Sequence, residues 1–169
     1  SVALAVADYK GGAVLTELPW VKYVTSDIET TEQQHRFWQS LLDELGKREQ
    51  LLREQGVSNW TAAEVLGLGE ARLLVLVDEA VAAIRSGSLA QDAITKIATK
   101  GRSLGVHLLL TTQSLVGLPR EVLINLRSRL ALVDDSTRAE LERTGVILLP
   151  EMVPERPSEK TSSRTTCGL

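Results

Sequence analysis

The stretch 72-RLLVLVDEAV-81 decides how the rest of the chain is read. Leu73 to Val77 form an unbroken aliphatic run that ends in two adjacent carboxylates, Asp78 and Glu79. A run this short and bounded by charge does not suit a helix, and its lack of polar alternation predicts a parallel strand covered on both faces.

The flanking sequence supplies the rest of such an architecture. Val2 to Ala7 reads as an apolar strand, stopped by Asp8 and then by Gly11-Gly12, whose backbone suits a turn. An apolar, irregular loop containing Pro19 and Trp20 follows. A helix is expected from Thr30 or Thr31, where a hydroxyl can cap the first amides and Glu32 lies at the positive end of the dipole. Trp38, Leu41, Leu42 and Leu45 fall on one face of it, Leu52 extends the stripe, and Gly56 can end it. A short helix is expected over 62–66.

Downstream of the central run, 80–84 reads as helix, Ser86-Gly87-Ser88 as a break, and 89–104 as a second amphipathic helix stopped by Gly105. Residues 106–112 form the next expected strand, ending in Thr111-Thr112-Gln113. Pro119 opens a helix to about 126, 129–133 is a further strand, and Ser136 can cap a helix through Arg143. Strands alternating with helices predict an α/β fold with a mainly parallel sheet.

Composition narrows the function classes. The 169 residues are 43% hydrophobic but only 4% aromatic, so the core must be aliphatic. A net charge of −3 argues against nucleic-acid binding by bulk charge, though a local basic lining is compatible with it. The single cysteine, Cys167, gives neither a disulfide framework nor a thiolate metal site, which fits a reducing cytoplasmic setting. No apolar run reaches the roughly 20 residues of a membrane span, and no signal peptide is visible. The opening SVALAVADYK reads as a strand already in progress and suggests a longer chain. Residues 150–169, rich in Pro, Ser, Thr and charge, read as a flexible tail behind a domain spanning 1–149.

Acids at the carboxyl end of a parallel strand open on the crevice where α/β sheets bind ligands. In nucleoside-triphosphate hydrolases a first carboxylate there orients the magnesium shell and a second polarises the attacking water, which would make Asp78 the magnesium residue and Glu79 the general base. Acids also end strands for no reason beyond solubility, and the pair alone does not separate these readings. Thr111, Thr112 and Gln113 are expected on the same rim. A neutral amide there can hold water or meet a terminal phosphate without competing for metal, or the three can simply form a loop-start hydrogen-bonding cluster.

Three segments, LLVLVDEA, KGRSLGVHLLLTTQ (100–113) and INLRSRLALVDDSTR (124–138), resemble the motor domain of the FtsK/SpoIIIE family, as do ADYKGG (7–12) and LGKREQLLREQGVSNW (45–60). The likeness runs colinearly over about 2–145. It implies a RecA-like P-loop NTPase of three layers, using ATP and Mg2+, that assembles as a homo-oligomeric ring, a hexamer, and pulls double-stranded DNA, with a membrane-anchored N-terminal region outside this chain. The type VII protein-secretion ATPases are relatives, so protein export is the alternative, and a remnant without catalysis a third.

Residue by residue, the resemblance makes Asp78 and Glu79 the Walker B pair and Gln113 the sensor, with Thr112 on the nucleotide side. Arg102 and Arg129 match basic positions and are either contacts between subunits or ordinary surface charges. Lys10 either reaches the nucleotide or DNA side or is a solvated strand-end lysine. His107 is expected in the core, His35 has no partner at metal-ligand spacing, and Trp20, Trp38 and Trp60 are expected to pack rather than stack on bases.

The chain departs from the family in one large respect. No Gly-x-x-x-x-Gly-Lys-Ser/Thr loop occurs: Gly46-Lys47 is followed by Arg48, and Gly11-Gly12 has no lysine or hydroxyl after it. The family's P-loop strand lies beside the sensor strand, so its absence predicts an incomplete sheet whose strand ending at Thr112 lacks a neighbour. The expectation is an N-terminally truncated domain, inactive by itself.

Overall fold

The computed structural model describes residues 1–11, 21–131 and 147–148, which belong to two units, Ser1–Arg127 and Ser128–Leu169. In the first, β1 (Val2–Asp8) and β2 (Val21–Ser26) precede α1 (Thr31–Glu54), α2 (Trp60–Val65), β3 (Arg72–Asp78), α3 (Ala80–Ser86) and α4 (Ser88–Lys100). A 3-10 turn (Gly101–Leu104), β4 (Val106–Leu110) and α5 (Arg120–Asn125) complete it. In the second, β5 (Leu130–Ala131) pairs in parallel with β6 (Ile147–Leu148). The expected loop at 12–20, the helix at 136–143, the tail at 150–169, Trp20 and Cys167 lie outside the described residues.

All three strand pairings in the first unit are parallel, in the order β2-β1-β3-β4. The register sets Ala5 beside Val75 and Val75 beside Leu108, and Ala7 beside Val77 and Val77 beside Leu110. That face is the core: Ala5, Ala7, Leu73, Val75, Val77 and Val106 pack with Trp38, Leu41 and Leu45 of α1 and Ile94 and Ile97 of α4. Small alanines on β1 let the large α1 side chains approach the sheet, so a core poor in aromatics still closes.

The opposite face carries Leu74 and Leu76, half-buried, and beside them His107 and Leu109, exposed. The expectation of a core histidine therefore fails, because the pleat turns His107 away from the face on which the described helices pack. Two further expectations are corrected. Residues 21–26, read as part of a loop, form β2, and the helix expected through Leu104 ends at Lys100, tightening into the 3-10 turn before Gly105.

Helix α1 starts where its cap dictates. The Thr30 hydroxyl accepts the Gln33 amide and the Gln33 side chain accepts the Thr30 amide, a reciprocal capping box. Behind α1, Arg48 is 5% exposed and fully engaged. Its Nε donates to Glu44 (2.6 Å), Nη1 to the carbonyls of Leu104 (3.0 Å) and Gly105 (3.3 Å), and Nη2 to that of Ala71 (2.8 Å). The guanidinium also lies 4.2 Å from the Trp60 ring centroid. One cation thus binds the amino ends of β3 and β4 to α1. Gly105 is required beside it: its φ is +68°, and a Cβ there would come within 2.2 Å of the indole.

Ion pairs on the outside tie elements together more weakly. Glu49 accepts from Lys100 (3.0 Å) and faces Lys96 (3.7 Å), joining α1 to α4, and Arg72 clasps Glu64 with two bonds. The Lys100 hydrogen bond holds the Glu49 carboxyl below its usual 4.5, and Arg72 does the same for Glu64. A carboxyl depressed by folding stabilises the native state above its unfolded value, and that contribution is lost as pH falls through the folded one. Stability should therefore decline as pH drops below 4.5, and E49Q or E64Q should each flatten that decline slightly, both carboxyls being partly exposed and screened by solvent. Thermal midpoints across the acid range check this.

Candidate functional site

The carboxyl ends of β1, β3 and β4 meet on one rim. Asp8 and Asp78 are register partners at the ends of adjacent strands, and the Tyr9 amide donates to the Asp78 carbonyl at 3.1 Å. Asp8 is 4% exposed, and its carboxylate accepts the Lys10 amide at 3.0 Å, turning the chain outward and leaving Lys10 exposed on this rim.

On the other side, the β3-to-α3 turn is fastened to β4. The Thr111 amide donates to the Val77 carbonyl (3.0 Å), and the Ala80 amide donates to the Thr111 carbonyl (2.9 Å). Between these two bonds, the Thr111 hydroxyl accepts the Glu79 amide at 3.1 Å and donates to the Asp78 carboxylate. Glu79 takes a left-handed backbone, φ 58°, the one non-glycine residue with positive φ among those described. That conformation points consecutive side chains Asp78 and Glu79 toward the rim before α3 begins.

Thr112 completes the arrangement. Its hydroxyl lies 2.8 Å from the Ser114 carbonyl and 3.2 Å from a Glu79 carboxylate oxygen. A hydroxyl has one proton, so the shorter bond takes most of it and Glu79 is held loosely. Gln113 follows, exposed on the same side. Behind the rim, the Tyr9 hydroxyl donates to Gln34 (3.0 Å) and accepts from the Trp38 indole (3.1 Å), holding β1 to α1, and the Ser86 hydroxyl of α3 lies 3.2 Å from it while giving its proton chiefly to the Ala83 carbonyl (2.7 Å).

The fold thus brings Asp78, Glu79, Thr112, Gln113 and Lys10 to one rim. It sets Arg102 elsewhere: the 3-10 turn precedes β4, so Arg102 sits at the amino end of the sheet, about 15 Å of strand away. Arg129 belongs to the second unit, half-buried just before β5. A groove of about 680 Å³ runs along α1, lined by Gln33, Arg36, Phe37 and Lys47, and none of the rim residues lines it.

Asp8 is the rim residue to which the sequence alone assigns no functional role, and Thr111 is read there only as one of a cluster. The signal for Asp8 was its place at the end of a strand paired with β3, which becomes visible only once the register is known. The double bond of Thr111 to the acidic turn has no signal in the sequence.

The rim offers carboxylates, hydroxyls and an amide, all oxygen donors. Magnesium keeps several waters and takes one or two carboxylates together with substrate phosphates, so this donor set fits it, with Asp78 the residue that could orient its shell. Among the described residues no group of three or more His, Cys, Asp or Glu converges as a closed metal cage, which such a shared ion does not need.

An all-parallel sheet with polar groups gathered at the carboxyl ends of its central strands is an arrangement that α/β nucleotide-binding folds share, and here it matches the fold of solved RecA-like ATPase domains. The cytoplasmic domain of the Thermomonospora curvata type VII secretion ATPase EccC superposes with a TM-score of 0.71 at 22% identity, over 85% of this chain and 18% of that one. The pCW3 conjugation coupling protein TcpA, solved with ATPγS, superposes with a TM-score of 0.62 at 22% identity, over 83% of this chain and 43% of that one. In sequence, the ESX-1 secretion system protein EccCa1 of Mycobacterium tuberculosis is 32% identical over 132 residues, 68% of this chain. The chain spans 18% of that relative's length. No family model matches the chain.

Proposed function

We propose that this chain is the part of an FtsK/SpoIIIE-type ATPase domain that holds the hydrolytic acids, working within a ring motor that moves a polymer. The observation that carries the reading is the acidic turn itself. Asp78 and Glu79 end a central parallel strand, and β4 fixes them from the side where the family has its sensor. The EccCa1 likeness supports the same assignment from sequence.

In this reading ATP and Mg2+ are the cofactors, and the ion neutralises phosphate charge when bound. Asp78 orients its shell, and Thr112 and Lys10 face the nucleotide. Glu79 takes a proton from the attacking water as its oxygen bonds the terminal phosphorus and the bond to the leaving diphosphate oxygen breaks. Gln113 reads the terminal phosphate. The phosphate cradle comes from a further strand and loop, and β4 offers the place: among the described residues it pairs only with β3. Neighbouring copies of a homo-hexamer would meet Arg102 and Arg129, which accounts for Arg102 lying off its own rim.

Two polymers fit. Protein export, the type VII reading, is supported by the 32% identity to EccCa1. Movement of double-stranded DNA is supported by the resemblance to FtsK motors and by the TcpA fold. Either motor works on the cytoplasmic side of a membrane, with any anchor in other segments; no described helix is long and apolar enough to cross one.

Residues 1–169 alone should bind MgATP weakly or not at all, and calorimetry showing micromolar binding would overturn the shared-cradle reading. ATP hydrolysis by the protein from its complete reading frame, measured with and without duplex DNA, separates the polymers. Stimulation by DNA selects the DNA pump, and stimulation only by an exported protein selects secretion.

A further inference from the structure

We propose that Thr111 is a positioning residue whose single hydroxyl sets the Asp78 carboxylate and the Glu79 peptide in one fixed geometry. The inference rests on the reading of Asp78 and Glu79 as the hydrolytic acids and deepens it by naming what aims them.

A strand end followed by a helix can leave its turn to solvent, and two adjacent acids in such a turn would sample many rotamers. Here the turn is bound at four consecutive residues to one threonine. Val77 gives its carbonyl to the Thr111 amide, Asp78 its carboxylate to the Thr111 hydroxyl, Glu79 its amide to the same hydroxyl, and Ala80 its amide to the Thr111 carbonyl. Two of these bonds are backbone to backbone and survive any substitution except proline. The other two run through Oγ1, one given and one received, which uses both directions a hydroxyl has.

The received bond has a specific consequence. Glu79 is held at φ 58°, a conformation a glutamate does not choose unaided, and its amide is fixed by Thr111 Oγ1 at 3.1 Å. The donated bond acts on the neighbouring side chain and holds one Asp78 carboxylate oxygen. Loss of the hydroxyl therefore loosens the metal-orienting acid and the base together. Thr112 does not duplicate this, because its hydroxyl is spent mainly on Ser114.

Valine keeps the shape and strand preference of threonine and lacks the hydroxyl, whereas serine keeps the hydroxyl, so T111V and T111S isolate it. In the 169-residue chain, T111V should raise amide hydrogen exchange at Glu79 by about tenfold or more, and T111S should not, as expected for a lost hydrogen bond to a charged, ordered turn. The Ala80 amide, bonded to the Thr111 carbonyl, should stay protected in both and reports that the turn still folds.

In the protein from its complete reading frame, T111V should lower kcat for ATP about tenfold or more with KM within about twofold, and T111S should restore most of it. Unchanged Glu79 exchange in T111V, or faster exchange with kcat intact, overturns the positioning role. E79Q in the same assay separates the two levels. If E79Q hydrolyses ATP normally, the reading of the acids fails. If E79Q is dead while T111V is fully active, only the role of Thr111 fails.

Discussion

Replacing Glu79 with glutamine is expected to abolish ATP hydrolysis by the protein from its complete reading frame while leaving nucleotide binding in place. Glutamine matches glutamate in size and keeps a carbonyl that can accept from Thr112, so the rim should hold its shape. What disappears is the capacity to accept a proton from water, and general-base catalysis of this kind contributes on the order of 10²–10⁴ in rate. Phosphate release in steady state and binding of a fluorescent nucleotide, measured on the same preparation, test it. Equal losses of binding and turnover would mean that position 79 only supports the turn, and the assignment of the acids would be wrong.

The second large effect lies at the other end of the sheet. Arg48→Met keeps much of the volume beside Trp60 but leaves the carbonyls of Ala71 and Leu104 without this donor and Glu44 without its cation, while the Gly105 carbonyl keeps the Leu73 amide. Each carbonyl left unsatisfied costs about 1–3 kcal/mol, whereas Glu44, with 31% of its side chain exposed, is rescued by water. A shift of that size in the urea midpoint, with no change in slope, is the expected result. A loss below about 1 kcal/mol would show that water replaces the guanidinium easily and that the amino end of the sheet is held by packing alone.

Much of this fold could be read from the sequence because its signals are local. The capping hydroxyl at Thr30, the apolar face of α1 and the short aliphatic run ending at Asp78 each encode an element without help from distant residues. Strand β2 was hidden because Val21 to Ser26 alternates weakly and follows an apolar loop, and only pairing with β1 makes it a strand. The exposure of His107 is hidden for a related reason: apolar neighbours in sequence say that a strand is buried, not which of its faces is.

The site divides along the same line. Asp78 and Glu79 could be found by motif, and Gln113 and Thr112 by their place after a second strand. The buried place of Arg48 and the double role of Thr111 could not. Arg48 stands next to Lys47 in a charged helix and looks like any solvated cation until Leu104, more than fifty residues on, closes over it. Hydrogen bonds between residues this far apart leave no periodic trace in a sequence.

The left-handed backbone at Glu79 sets two demands on one position against each other. Glycine is the residue that the conformation favours, and it would relieve the local strain at little steric cost. Glutamate is the residue that proton transfer requires. A library selected for thermal endurance alone should accept glycine or asparagine at 79, whereas one selected for turnover should return glutamate every time. The divergence between the two selections would measure how much durability the chain forgoes at this position to keep its chemistry.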